Sequence, residues 1–253
     1  MKVIINGDDF GYDETVNEAI ATLMAQRRIT SATLIANGPA VEDAIRKIPP
    51  GSRCSLGVHL NLTEFEPLTP VKTRGILSEC LDEKGYFCGE DHLRSMEMTS
   101  SLREAFFVEL RLQVEAIRSR GIRISHFDSH NHVHTMPSLF LVLKRLQEHF
   151  GIRKVRTTWN IFSPEKPPSR LHVLRKRLWN SALRYYHATT TTSGFTSFAT
   201  FYEVAKSSRL NLDSVELMVH PGHRQFQWET QLLNSEWQKD ILCTTNLLTY
   251  HDL

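Results

Sequence analysis

Two hydrophobic periods alternate along this chain. Val3-Ile4-Ile5 is a short apolar run that predicts a buried strand ending at Gly7-Asp8-Asp9. Behind it Val16, Ile20, Leu23 and Met24 recur at helical spacing, with Asp13 placed to cap that helix. The pattern repeats. A strand over 32–36 precedes a short helix around Ala44, Ile45 and Ile48, and a strand over 56–62 carries His59. Leu102, Phe106, Leu110, Val114 and Ile117 mark a long amphipathic helix that stops at Gly121. Residues 122–128 alternate as a strand, and Pro137 opens a helix whose Leu139, Leu143, Leu146 and Phe150 share a face. Further strands are expected over 154–158 and 215–219. Strands alternating with helices predict parallel βα units, in a barrel or an open doubly wound sheet.

Two stretches break the pattern, 63–101 and 160–200. They are expected to be excursions from a single domain spanning 1–253. Within the second, 171–186 reads as a basic helix with Arg175, Lys176, Arg177 and Arg184. A solvated amphipathic face is the plain explanation of that helix, and contact with a membrane surface or a lipid-linked sugar is the sharper one.

Composition narrows the class. Hydrophobic residues make up 41% of 253, and the formal net charge is only +2, so there is material for a core and no global field suited to nucleic acid. The N-terminus runs straight into a strand, without the apolar stretch and cleavage site of a signal peptide. No run approaches the ~20 apolar residues that a spanning helix needs. The four cysteines form no CxxC pair. A cytoplasmic protein is expected, and exposed barrel helices suggest a homodimer. Of the twelve histidines, four fall between 126 and 134.

The polar groups recur at matching places. Asp8 and Asp9 follow the first strand, Asn37 the second, and His59 lies in the third. His126, Asp128 and His130 end the fourth and His220 ends the last. Strand ends of a βα barrel converge on one face, which brings such residues together. If the strand persists through His130, alternation puts His126, Asp128 and His130 on one side of it, while Pro137 turns His132 and His134 away. One imidazole here, a second on the His59 strand and a carboxylate from Asp8-Asp9 would make an Asp/His/His set with an open position.

Four ordered motifs resemble the YdjC-like carbohydrate deacetylases: Gly7-Asp8-Asp9-Phe10-Gly11, Gly57-Val58-His59-Leu60-Asn61-Leu62-Thr63, the stretch 126–134, and His220-Pro221-Gly222. The resemblance implies a distorted, TIM-like (β/α) barrel related to the NodB-type polysaccharide deacetylases. It implies a divalent ion on Asp9, His59 and His130, with Asp8 as general base, and removal of an N-acetyl group from an amino sugar or oligosaccharide. The family implies Mg2+, whereas two imidazoles suit Zn2+ or another transition ion. His220 is then the candidate general acid. Asn37 and Arg156 are candidates for substrate contact, and His126, Asp128, His132 and His134 for support around the ligands. Competing explanations are an amidohydrolase-type metal hydrolase, prompted by His132-Val133-His134, and a silent sugar- or metal-binding protein.

Overall fold

β1 (Lys2–Phe10) is longer than the apolar run that announces it and carries on through both aspartates. Everything in it after Lys2 is buried, as suits a central strand of a parallel sheet covered on both faces. The computed structural model describes residues 1–158, 160–162 and 167–253. On one side of β1 lie β2 (Ser31–Leu34), β3 (Ser55–Leu60) and β4 (Ile124–Ser129). On the other lie β6 (Ser214–Val219) and then β5 (Gly194–Ser197), giving the parallel order β4-β3-β2-β1-β6-β5. A two-residue β7 (Asn246–Leu247) pairs with Lys2 and Val3 ahead of the point where β2 begins. The sheet curls into a half-barrel. Between β4 and β5 the described residues supply isolated bridges, Phe127 with Val155, Lys154 with Thr190 and Asn160 with Phe195. The strand expected over 154–158 is thus reduced to bridging contacts.

The helices follow their sequence signals. Asp13 caps α1 (Glu14–Ala25) by accepting from the Val16 N–H at 2.7 Å. Beyond β2 comes the short α2 (Val41–Lys47). Thr99 caps α4 (Ser100–Ser119), which buries Leu102, Phe106, Leu110, Val114 and Ile117. Pro137 starts a 3-10 turn that leads into α5 (Phe140–Phe150), closed by Gly151 at φ 67°. The basic helix is α6 (Arg170–Tyr185).

Both irregular stretches hold more order than their patterns show. Residues 63–101 contain two 3-10 turns and α3 (Glu90–Ser95). The buried Glu109 of α4 ties this segment down, accepting from the N–H groups of Leu68 and Thr69 and from the Thr69 hydroxyl. Within 160–200 the structure adds β5 and the start of α7 (Phe198–Ser207). A four-residue strand set among Thr and Ser is too short to show a period. Past α8 (Gln227–Asn234), Tyr250 enters the half-barrel from the strands' N-terminal end. Its N–H donates to Ser55 Oγ, at the first residue of β3, and its ring stacks on His126 at 3.5 Å. Gly57 makes room for that imidazole, since a Cβ there would lie 2.5 Å from the His126 ring.

Candidate active site

In a regular strand Asp8 and Asp9 would face opposite sides of the sheet. Asp9 instead adopts φ 71°, and the register against β2 shifts between Gly7 and Phe10. Aspartate tolerates this left-handed conformation better than most residues, and such outliers cluster at functional sites. The kink brings both carboxylates into one buried cluster with different partners.

Asp9 faces imidazoles. Its Oδ1 lies 2.8 Å from His130 Nδ1 and 3.2 Å from His59 Nε2, and its Oδ2 lies 3.1 Å from His223 Nε2. The other nitrogen of His59 donates to Asp128 Oδ1 at 2.8 Å, which fixes the ring and turns Nε2 toward Asp9. Burial alone would lower His59, but Asp128, Asp9 and Asp8 outweigh it and push the imidazole up to about 10. His130 is likewise pushed up to about 9, against its burial, by Asp9 and Glu64. His130 Nε2 and His223 Nε2 are buried and sit within ion-pair distance of carboxylates, yet neither has hydrogen-bond geometry to them. Asp9, His59 and His130 bring one ligand atom each within 4.8 Å of one another, a group that could hold a divalent ion. The donor set fits: an ionised carboxylate, an imidazole whose far nitrogen is anchored, and a second imidazole.

Asp8 faces a cation. Arg156, with no solvent exposure, donates to both Asp8 oxygens at 2.7 Å, to Glu216 Oε1 at 2.8 Å, and lies 2.8 Å from Asp128 Oδ2. Asn6 adds a bond to Asp8 Oδ1 at 2.8 Å. Burial raises Asp8, but the guanidinium overrides it and holds the carboxyl well below the usual carboxylate range. Glu216, deeper in the half-barrel, is pushed up to about 7 by burial despite Arg156 and shares a hydrogen bond with the Tyr250 hydroxyl. Asp8, His59 and Asp128 also come within ligand reach of each other. Arg156 already bonds Asp8 and pairs with Asp128, so a second ion there would meet the guanidinium.

His220 directly follows β6, its ring stacked on Phe226 with centroids 4.7 Å apart and its backbone N–H donating to Glu229 Oε2. Burial lowers its pKa against the pull of Asp8 and Asp9. Asn37 is committed to the segment after β3: it donates to the Glu64 and Glu66 carbonyls and accepts from Asn61. His126 pairs with Ser125 and Tyr250 beneath the cluster. His132 and His134 diverge after β4, where Asn131 and His132 take left-handed φ values of 49° and 54°. His134 bonds Ser129, and His132 packs against Phe195 in the wall of a cavity of about 850 Å³. That cavity abuts the cluster through His132 and Arg156 and is walled by Phe140, Trp179 and Phe195. His223, Glu216, Asn6 and Glu64 were not foreseen. Only His223 carried a signal, as the histidine that directly follows His220-Pro221-Gly222.

A curled parallel α/β sheet whose strand ends gather a buried Asp/His group able to hold a divalent ion defines the class of this protein. A family model described as YdjC-like protein matches residues 2–248, and the chain belongs to that family. A carbohydrate deacetylase of Brevibacillus brevis is 28% identical over 254 residues, covering 100% of this chain and 93% of the relative. One of Clostridium beijerinckii is 29% identical, covering 88% of this chain and 82% of its own. One of Geobacillus stearothermophilus is 35% identical across 64% of this chain and 66% of its own. A crystal structure from Enterococcus faecalis V583 superposes with a TM-score of 0.73 at 22% identity, over 99% of this chain and 98% of that one. Its suggested role there is cellobiose-phosphate cleavage, and at that identity the likeness bears on the fold alone.

Proposed function

We propose that this protein is a divalent-metal-dependent carbohydrate deacetylase that hydrolyses the N-acetyl group of an amino sugar or oligosaccharide, on a distorted TIM-like barrel. The observation that carries this reading is the convergence of His59 and His130 on Asp9 Oδ1 while the adjacent Asp8 is held apart by Arg156. Membership of a family whose relatives bear the name carbohydrate deacetylase supports it. Asp9, His59 and His130 would hold the ion. A divalent ion in such a site supplies Lewis-acid polarisation of an acyl carbonyl and acidifies water.

The remaining steps belong to the chain. Asp8 takes the proton of the attacking water, and Arg156 and Asn6 fix its direction and keep it ionised beforehand. His220 delivers a proton to the departing nitrogen. Burial disfavours its imidazolium, so the ring rests neutral and takes up the proton that Asp8 draws from the water before passing it on, a gain that Asp8 and Asp9 favour. The adjoining cavity of about 850 Å³, with its aromatic walls, is of a size to seat sugar rings beyond the acetylated one. The amidohydrolase-type alternative loses its basis, because His132 and His134 join neither carboxylate cluster.

Acetate release is the test. Purified protein loaded in turn with Mg2+, Zn2+ and other divalent ions is offered N-acetylglucosamine, chitooligosaccharides and nucleotide- or lipid-linked N-acetyl sugars. Turnover on at least one of them is expected, and none with any ion would contradict the proposal.

A further inference from the structure

α6 is apolar on two sides. At about 100° per residue, Val173, Lys176, Asn180 and Leu183 form its inward stripe, and of these Asn180 and Leu183 are buried. Leu171, Leu174, Leu178 and Tyr185 form a second stripe on roughly the opposite side. These four are 57%, 52%, 63% and 92% exposed, and Tyr186 follows at 56%. They make up five of the ten large hydrophobic side chains that stand exposed among the described residues. A helix whose only task is to cover the half-barrel has no use for them. The helix also carries Arg170, Arg175, Lys176, Arg177 and Arg184, and no Asp or Glu occurs from 167 to 202. On a chain of net charge +2 this is a local concentration of positive charge. Arg170 and Arg175 are exposed on either side of the leucines.

We infer that the outer face of α6 docks on an anionic phospholipid bilayer. Leucines enter the boundary between headgroups and acyl chains, arginines meet the phosphates, and Tyr185 sits at the headgroup level. Charge selects this occupant. A second copy of the chain packed through the same face would set arginines against arginines. The surface must therefore be apolar and anionic at once. Contact is peripheral, since no described helix is long and apolar enough to cross a membrane. Leu178 and Arg175 also line the mouth of the cavity beside His132 and Arg156, so docking would turn that mouth toward the lipid. The inference does not depend on the reaction.

Co-sedimentation of the full chain with vesicles of phosphatidylcholine alone, and of phosphatidylcholine with phosphatidylglycerol, tests it. Partition onto the anionic vesicles only is expected. Leu171→Glu/Leu174→Glu/Leu178→Glu should weaken it by about tenfold or more. Arg170→Gln/Arg175→Gln should weaken it less and flatten its salt dependence. All the substituted side chains are exposed, so circular dichroism should show the fold unchanged. Absence of binding to anionic vesicles, or equal binding by the triple variant, would overturn the inference. So would a dimer in light scattering that the triple variant splits, because the stripe would then be covered by a second copy.

Discussion

Two neighbouring aspartates divide the labour of the proposed site, and the backbone makes the division. The left-handed φ of Asp9 turns its carboxylate to the imidazoles, while Asp8 stays in extended geometry against Arg156. Asparagine also tolerates that conformation, so Asp9→Asn removes charge without reshaping the strand. It should weaken metal binding, with activity partly restored by added ion. Asp8→Asn should keep the ion yet lose about a hundredfold or more in turnover. Metal content measured beside acetate release separates the two, and loss of the ion from Asp8→Asn alone would reverse the assignment. Asp128 orients His59, and His223 lies against Asp9 Oδ2. Asp128→Asn or His223→Ala should therefore cost about 10–100-fold in metal affinity, measured by competition with a chelating dye. The motifs made Asp8, Asp9, His59, His130 and His220 visible because glycine, proline and clustered histidines mark strand ends. Asn6 and Glu216 lie within strands, where one buried polar residue looks like any other, and Arg156 stood out only as a candidate for substrate contact. Nothing in the sequence tells that one guanidinium spans Asp8, Asp128 and Glu216.

At the level of elements, β1, β3, β4 and β6 carry the proposed machinery, and their order β4-β3-β2-β1-β6 keeps those ends together. Long periodic segments such as α1, α4 and α5 were plain from hydrophobic spacing. β5 was not, because a four-residue strand leaves no period, and the strand expected over 154–158 is present only as single bridges at Lys154 and Val155. The C-terminal turn was also invisible, since Tyr250 is fixed by partners far away in sequence. It lies under Glu216 and His126, and Lys154 Nζ bonds its carbonyl. Tyr250→Phe keeps the stacked ring but leaves Glu216 without that donor. It should lower stability by about 1–3 kcal/mol, read by urea unfolding, while metal content stays unchanged. A loss of the ion in this variant would mean that the turn shapes the ligand cluster itself.

For the whole molecule, an ion must compete with protons. His59 and His130 are pushed up to about 10 and about 9, and each must be neutral at its ligating nitrogen. Metal affinity should thus rise with pH through the range below those values, and a titration showing affinity falling from pH 6 to pH 8 would oppose this. The homodimer expected from exposed helices is checked by light scattering, and the like charges of α6 would direct any such contact to another face. The central claim is that one ion at Asp9, His59 and His130 makes the deacetylase. It is tested most directly by stripping the protein with a chelator and titrating the metal back while acetate release is followed on an N-acetyl sugar that the loaded protein hydrolyses. Turnover should vanish on stripping and return in proportion to bound ion up to about one per chain, with no return in His59→Ala or His130→Ala. Full turnover by the stripped protein, or full recovery in either variant, would contradict the account.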